Sequence, residues 1–197
     1  MPQPASGLRN DGEVCHSEEP AQPATWESVL LCNKEGVIRM KIAIGSDKSG
    51  FSAKEAIKAY LTESGADFAD LGTLDLDHVH PYYEVANTVA PLVQDGSYDR
   101  AILICGTGAG MCVVSNKFKG VYAVACEGVY SAKMARAINN ANILCMGGWI
   151  VGPEMAVEMT KTFLATEWCQ DLEDWRAANM HKFAVQVSAI EDSIYGK

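Results

Sequence analysis

Cys105 closes the apolar run Ala101-Ile102-Leu103-Ile104 and is followed at once by Gly106-Thr107-Gly108-Ala109-Gly110. Glycines let a backbone turn tightly and aim successive N–H groups into one concavity, and the start of a helix behind them adds a field that favours an anion. The same field lowers a thiol pKa, so Cys105 is better placed than the other six cysteines to be a thiolate. A thiolate facing a pocket that stabilises an enediolate can carry a proton between adjacent carbons of a sugar, with Thr107 in reach of the same oxygen. The competing reading is an inert core cysteine. The position at a glycine-lined strand end, rather than inside the strand, counts against it. The spacing Gly106-x-Gly108-x-Gly110 departs from G-x-G-x-x-G, and this strand is not the first of the fold, so nicotinamide binding is disfavoured.

Three further clusters have side chains fit for chemistry. Gly45-Ser46-Asp47-Lys48-Ser49-Gly50 sets a carboxylate beside an ammonium. Asp47 suits a substrate hydroxyl and Lys48 a phosphate or a developing negative charge, while Ser46 or Asp47 equally suits a helix cap. Asp77-His78-Val79-His80-Pro81-Tyr82-Tyr83 invites a metal, but no convincing third ligand follows. A substrate-contacting loop with His80, or plain surface, fits better. Asn139-Asn140-Ala141-Asn142 offers amides to sugar hydroxyls, although asparagine also ends helices for backbone reasons.

Elements that would position these residues follow from hydrophobic patterning. Strands are expected at Lys41–Gly45, Asp67–Leu71, Arg100–Cys105, Val121–Ala125 and Ile143–Met146. Helices are expected over Ser52–Ser64, Tyr82–Asp95, Gly110–Lys117, Tyr130–Asn140 and Glu154–Ala165, with a last one within Trp175–Ser193. Ala53, Ile57, Tyr60 and Leu61 recur at helical spacing, whereas Ala101–Cys105 and Val121–Ala125 are continuous apolar runs suited to strands covered on both faces. The expected fold is α/β: a doubly wound, Rossmann-like, five-stranded parallel sheet with helices on both faces and a C-terminal helix. Ligands of such sheets bind beyond the carboxyl ends of the strands, where Asp47 and Cys105 fall.

With 197 residues, 48% hydrophobic and 21% charged, the chain suits one globular domain. A net charge of -9 argues against nucleic acid and anionic membranes as partners. Seven scattered cysteines, without a Cys-x-x-Cys pair or zinc spacing, suit reduced thiols in a cytoplasmic protein. No apolar run approaches the roughly 20 residues of a membrane helix. Residues 1–39 hold four of the seven prolines and no sustained period. They read as a disordered extension, or as sequence upstream of a natural start at Met40, ahead of a domain over 40–197.

The segments GSDKSG, HPYYEVA, ILICGTGAGMCVVSNKFKGVYAVAC and YSAKMARAINNANILCMGGWIVG, in this order, resemble the type B ribose-5-phosphate isomerase and galactose-6-phosphate isomerase family over about Met40 to Leu164. The resemblance implies a homodimer or homotetramer with sites between subunits, a small sugar phosphate as substrate, and neither a metal nor an organic cofactor. It implies Cys105 as the base, with Asp47, Gly106, Thr107, Gly108 and Gly110 around the substrate and Asn139 reaching it from a neighbouring subunit. Lys48 stands where ribose-type members usually have histidine. Ile138 stands where they have the histidine assigned to ring opening, and isoleucine cannot transfer a proton. His80 falls where a tyrosine is common. Trp149 replaces an arginine that grips phosphate, and the C-terminal Gly-Gly-Arg-His pattern is missing.

Arg176, His181 and Lys182 are the nearest substitutes for phosphate contact, with Arg136 and Lys48 elsewhere in the chain. Either these residues take over, or the charged end of the substrate differs, and a largely acyclic substrate would need no ring opening. The expected activity is an aldose-ketose isomerase of a ribose-5-phosphate-like, or other four- to six-carbon, sugar phosphate. A non-catalytic sugar-phosphate-binding relative is the second reading. A cysteine hydrolase is the third, and it needs His80 or His181 beside Cys105. Tryptophans 168 and 175, near acidic residues, suit either a neighbouring subunit or their own core.

Overall fold

A computed structural model describes residues 31–33, 36–38 and 40–196. The elements run β1 (Leu31–Asn33), β2 (Gly36–Ile38), β3 (Lys41–Ser46), α1 (Phe51–Glu63), β4 (Asp67–Asp70), α2 (Tyr82–Gln94), β5 (Arg100–Cys105), α3 (Ala109–Ser115), β6 (Ala123–Ala125), α4 (Val129–Ala137), β7 (Ile143–Gly147), α5 (Pro153–Ala165) and α6 (Asp174–Tyr195). β1 and β2 pair antiparallel, Leu31 opposite Ile38. No strand was expected there, because runs of three residues are too short to show a period. The rest of the expected extension, with Cys15, lies outside the described residues.

Five strands form one parallel sheet in the order β4-β3-β5-β7-β6. The chain winds outward from β3 to β4, then returns to the other flank of β3 to lay down β5. Between β3 and β5 the winding reverses, and the crevice at that point lies beyond their carboxyl ends, at Ser46 and Cys105. The fold class, the five strands and the six helices agree with the expectation, with ends shifted by a few residues.

Alternation along β5 builds both halves of the core. Ile102 and Ile104 face α1, α4 and α5 through Ile57, Leu61, Ala135, Met159 and Phe163. Ala101, Leu103 and Cys105 face α2 and α3 through Val85, Val89 and Met111. Each large aliphatic side chain removed from water this way contributes about 1.5–3 kcal/mol, which fixes the register of β5 and so the place of Cys105. The last helix is different. α6 buries none of its residues and exposes Trp175, Phe183, Val185, Val187, Ile190, Ile194 and Tyr195. Polar contacts hold it: Lys119 to Asp192 at 2.7 Å, and the Gly120 N–H and Tyr122 hydroxyl donating to Glu191, each at 3.0 Å. Among the described residues no helix is long and apolar enough to cross a membrane.

Candidate active site

Three loops leave adjacent strands and meet: 47–50 after β3, 106–110 after β5 and 148–152 after β7. Backbone hydrogen bonds knit them. Asp47 N–H donates to the Ile104 carbonyl at 3.2 Å, Gly148 N–H to Cys105 at 2.7 Å and Trp149 N–H to Gly106 at 3.0 Å. Gly148 lies so close to the Ser49 carbonyl that a side chain there would collide with backbone.

Cys105 is 4% exposed, and its Sγ accepts a hydrogen bond from the Gly108 N–H at 3.2 Å. Gly108 reaches that geometry with φ +76°, a conformation glycine adopts without the clash a Cβ would bring. The loop therefore folds back on the thiol and orients the sulfur, and Thr107 stands exposed above it. No histidine among the described residues hydrogen-bonds Cys105, which counts against the cysteine-hydrolase reading.

A thiol that the sequence did not single out is perturbed. Hydrogen bonds to Cys112 Sγ, first from the Cys145 thiol and then from the Ala125 backbone and the Asn116 amide, outweigh burial and draw Cys112 down to about 6. The Ala123 carbonyl, 3.1 Å from that sulfur, opposes them because it would repel a thiolate. Cys112 lies in the seam of α3 and β6; Cys145 is fully buried and its thiol is pushed up, first by its hydrogen bond to Cys112 and then by burial.

Asp47 serves the backbone through Oδ1, which accepts from the Ser49 N–H at 2.8 Å and the Gly50 N–H at 3.2 Å. Burial raises its pKa, and those two donors pull against the rise. It thus fixes the turn into α1 at the edge of the crevice. Lys48 beside it is exposed.

Two aromatic rings stand at the sides of the 106–110 loop. The Trp149 indole is 75% exposed and lies on Gly106, where an added Cβ would sit 2.9 Å from three ring carbons. Tyr82 lies on Gly110 in the same way, at 2.8 Å from Cε2. In the sequence, Trp149 stood out only for the arginine it replaces and Tyr82 only as part of a polar cluster. Glycines spaced to admit flat rings were the available signal.

Loop 71–81 rests on an ion network that the sequence patterns did not reveal. Lys54 is fully buried; it pairs with Asp70 and Glu55, and its ammonium donates to the Thr73 carbonyl at 2.6 Å. Lys58, partly exposed, pairs with the same Asp70 at 2.9 Å. Thr73 Oγ1 in turn accepts from the His80 N–H at 3.0 Å. The network ties loop 71–81 to α1. His80 is exposed, its Nδ1 3.6 Å from Glu84 Oε2, and His78 pairs with Asp75. Lys54 falls one turn from Ile57 and Lys58 on α1 and shares its face with Leu61, a placement that could have marked it as buried.

Asn139, Arg176, His181 and Lys182 are not brought to Cys105 within one chain. Asn139 is exposed beyond the end of α4, beside the amino ends of β6 and β7. There α6 and the domain enclose a cavity of about 520 Å³ lined by Ile138, Asn139, Trp168, Met180, Phe183 and others. His181 packs edge-on to Trp168, whose buried Nε1 has no hydrogen-bond partner among the described residues, and lies 4.0 Å from Cys169. Trp168 therefore packs on its own chain and Trp175 is 64% exposed. Arg176 pairs loosely with Glu173 at 3.7 Å, and Lys182 is exposed. Arg136 is buried among the carbonyls of Thr166 and Ala141, burial bringing it down to about 10, so its role is to hold α4 and α5.

A family model described as Ribose/Galactose Isomerase matches residues 42–180. A 4-deoxy-4-sulfo-D-erythrose isomerase from Clostridium sp. (strain MSTE9) is 52% identical over 158 residues, which are 80% of this chain and 99% of that one. A D-erythrulose-4-phosphate isomerase from Pectobacterium atrosepticum is 40% identical, covering 66% and 85%. The structure of Clostridium thermocellum ribose-5-phosphate isomerase B superposes with a TM-score of 0.69 at 35% identity, covering 79% of this chain and 99% of that one.

Proposed function

Because the chain belongs to the Ribose/Galactose Isomerase family and is an aldose-ketose isomerase, we propose that its substrate is an acyclic four-carbon sugar with an anionic end, 4-deoxy-4-sulfo-erythrose and its ketose. The observation that carries this reading is Ile138, a side chain without a transferable proton where ring opening would need one. A four-carbon aldose whose fourth carbon holds a sulfonate instead of a hydroxyl cannot close a furanose ring. The ring-opening step then disappears, and with it the need for a histidine. The identity to the sulfo-erythrose isomerase points the same way.

In this mechanism Cys105 as thiolate takes the proton from the carbon next to the carbonyl, the electron pair moves to the carbonyl oxygen, and an enediolate forms. The proton of the adjacent hydroxyl passes to the former carbonyl oxygen, an electron pair on the oxygen that gave it up forms the ketose carbonyl, and the carbon-carbon double-bond pair takes the proton back from the thiol at the former carbonyl carbon. Thr107 and the backbone N–H groups of the 106–110 loop hold the developing oxyanion, and Asp47 orients a substrate hydroxyl. Gly106, Gly108 and Gly110 keep the loop close enough to do so. His80 lies on the loop flanking Tyr82, and Lys48 is the cation at the crevice mouth.

Asn139 belongs to a second subunit's site in this reading. The apolar residues that α6 leaves exposed, and the cavity beside Asn139, support a homodimer in which they are covered, with a homotetramer as a further assembly. Arg176, His181 and Lys182, on α6, would then lie at that interface. Residues 40–197 form the isomerase domain. The cysteines at 105, 112, 126, 145 and 169 are free thiols, in keeping with a cytoplasmic enzyme.

A panel of 4-deoxy-4-sulfo-erythrose, erythrose 4-phosphate, ribose 5-phosphate and a six-carbon aldose phosphate, followed by NMR, tests the reading. The sulfo sugar should have the highest kcat/KM, and ribose 5-phosphate should be slower by about 100-fold or more. A preference for ribose 5-phosphate would overturn it.

A further inference from the structure

We propose that Trp149 is the specificity-determining residue for the charged end of the substrate: its indole forms an apolar wall that accepts a monoanionic sulfonate and disfavours a dianionic phosphate. The inference rests on the four-carbon reading and adds the group that selects within it.

With the reacting carbons over Cys105 and the 106–110 loop, the far end of the substrate must leave past one of the two aromatic rings. Past Tyr82 it would meet the loop and helix that carry Asp75, Asp77 and Glu84, all exposed carboxylates. Past Trp149 it meets Lys48, because Gly148 packs against Ser49 and Gly50 and sets the two loops side by side. Lys48 is the one Lys or Arg in segments 46–50, 71–81, 105–110 and 147–152. An anion therefore exits between Lys48 and the indole.

That exit provides one cation and one apolar face. A sulfonate carries one negative charge; a phosphate monoester carries about 1.5 to 2 at neutral pH. The cost of stripping water from an ion grows as the square of its charge, so the dianion loses up to about four times as much against the indole. Lys48 can neutralise one charge and leaves the other uncompensated. The backbone holds the indole in place, because the Trp149 N–H donates to the Gly106 carbonyl and three ring carbons lie only 2.9 Å from where a Gly106 Cβ would stand. Three quarters of the side chain's surface nevertheless stays open to a ligand.

The experiment measures kcat/KM for 4-deoxy-4-sulfo-erythrose and for erythrose 4-phosphate in the wild type, Trp149→Phe, Trp149→Ala and Trp149→Arg. The sulfonate-to-phosphate ratio should stay within about threefold in Trp149→Phe, which keeps an apolar wall, and fall about tenfold or more in Trp149→Ala. Trp149→Arg, which adds a cation, should invert it. Because the indole is largely exposed, all three variants should fold with melting temperatures within about 4 °C of the wild type. A ratio that stays within about twofold in both the Ala and the Arg variants, with turnover retained, overturns the role of Trp149 alone. Absence of turnover of either four-carbon sugar by the wild type overturns the underlying reading, and the proposal with it.

Discussion

The two ends of the sheet are built on opposite principles. At the carboxyl end, loops 47–50, 106–110 and 148–152 touch through backbone, and Lys54 beneath the neighbouring loop is paired with Asp70, Glu55 and the Thr73 carbonyl. At the amino end, α6 spans 22 residues without burying one, and a cavity of about 520 Å³ separates it from the end of α4. The first end is closely packed within one chain, while the second offers apolar surface still in need of a cover. The chemistry sits on the finished end, and the residues that the family resemblance assigns to a neighbour sit on the unfinished one.

The largest effect on stability should come from breaking the finished end at Lys54. Lys54→Met leaves the Asp70 carboxylate with only the partly exposed Lys58 as counter-charge, and it should cost about 3 kcal/mol in urea unfolding. A loss below about 1 kcal/mol would show that the network is not what holds this end. The pH dependence has a definite sign. Burial pushes the Asp70 carboxyl up, but hydrogen bonds from Lys54, Lys58 and the Gly72 N–H reverse this and leave it below its ordinary 3.8. Stability from the pair is therefore present above about pH 4 and lost as the pH falls through the lower folded value, a dependence that Lys54→Met should weaken.

A smaller effect on the fold, but a complete one on assembly, is expected at the other end. The double change Phe183→Asp and Ile190→Asp places charge on exposed positions and should alter the stability of the domain by about 1 kcal/mol or less. In analytical ultracentrifugation the wild type should sediment as a dimer and the variant as a monomer. An unchanged oligomer would mean that α6 is covered by something other than a second copy.

The carboxyl end was legible in the sequence for a reason that the amino end did not share. Continuous apolar runs and glycine clusters mark where parallel strands stop, so β5 was bounded at Arg100–Cys105, where it lies, and β3 within one residue. The doubly wound order followed from the alternation of strands and helices. What escaped were the contacts between residues distant in sequence. Lys54 and Asp70 are sixteen residues apart, and a lysine on an amphipathic helix reads as solvated unless its helical phase is checked against Ile57 and Leu61. Trp149 and Gly106 meet through the β5-β7 pairing, which no local pattern reveals. On α6, the apolar residues were visible, but the absence of a core beneath them was not. Periodicity reports a face, and only tertiary packing says what lies against it.

The central claim is that Cys105 moves the substrate proton. It is tested most directly by incubating the wild type and Cys105→Ala with 4-deoxy-4-sulfo-erythrose in deuterated buffer and following deuterium at the carbons beside the carbonyl by NMR. The wild type should incorporate deuterium as it isomerises, and Cys105→Ala should be slower by about 1000-fold or more while retaining its fold. Exchange at the wild-type rate in Cys105→Ala would contradict the account.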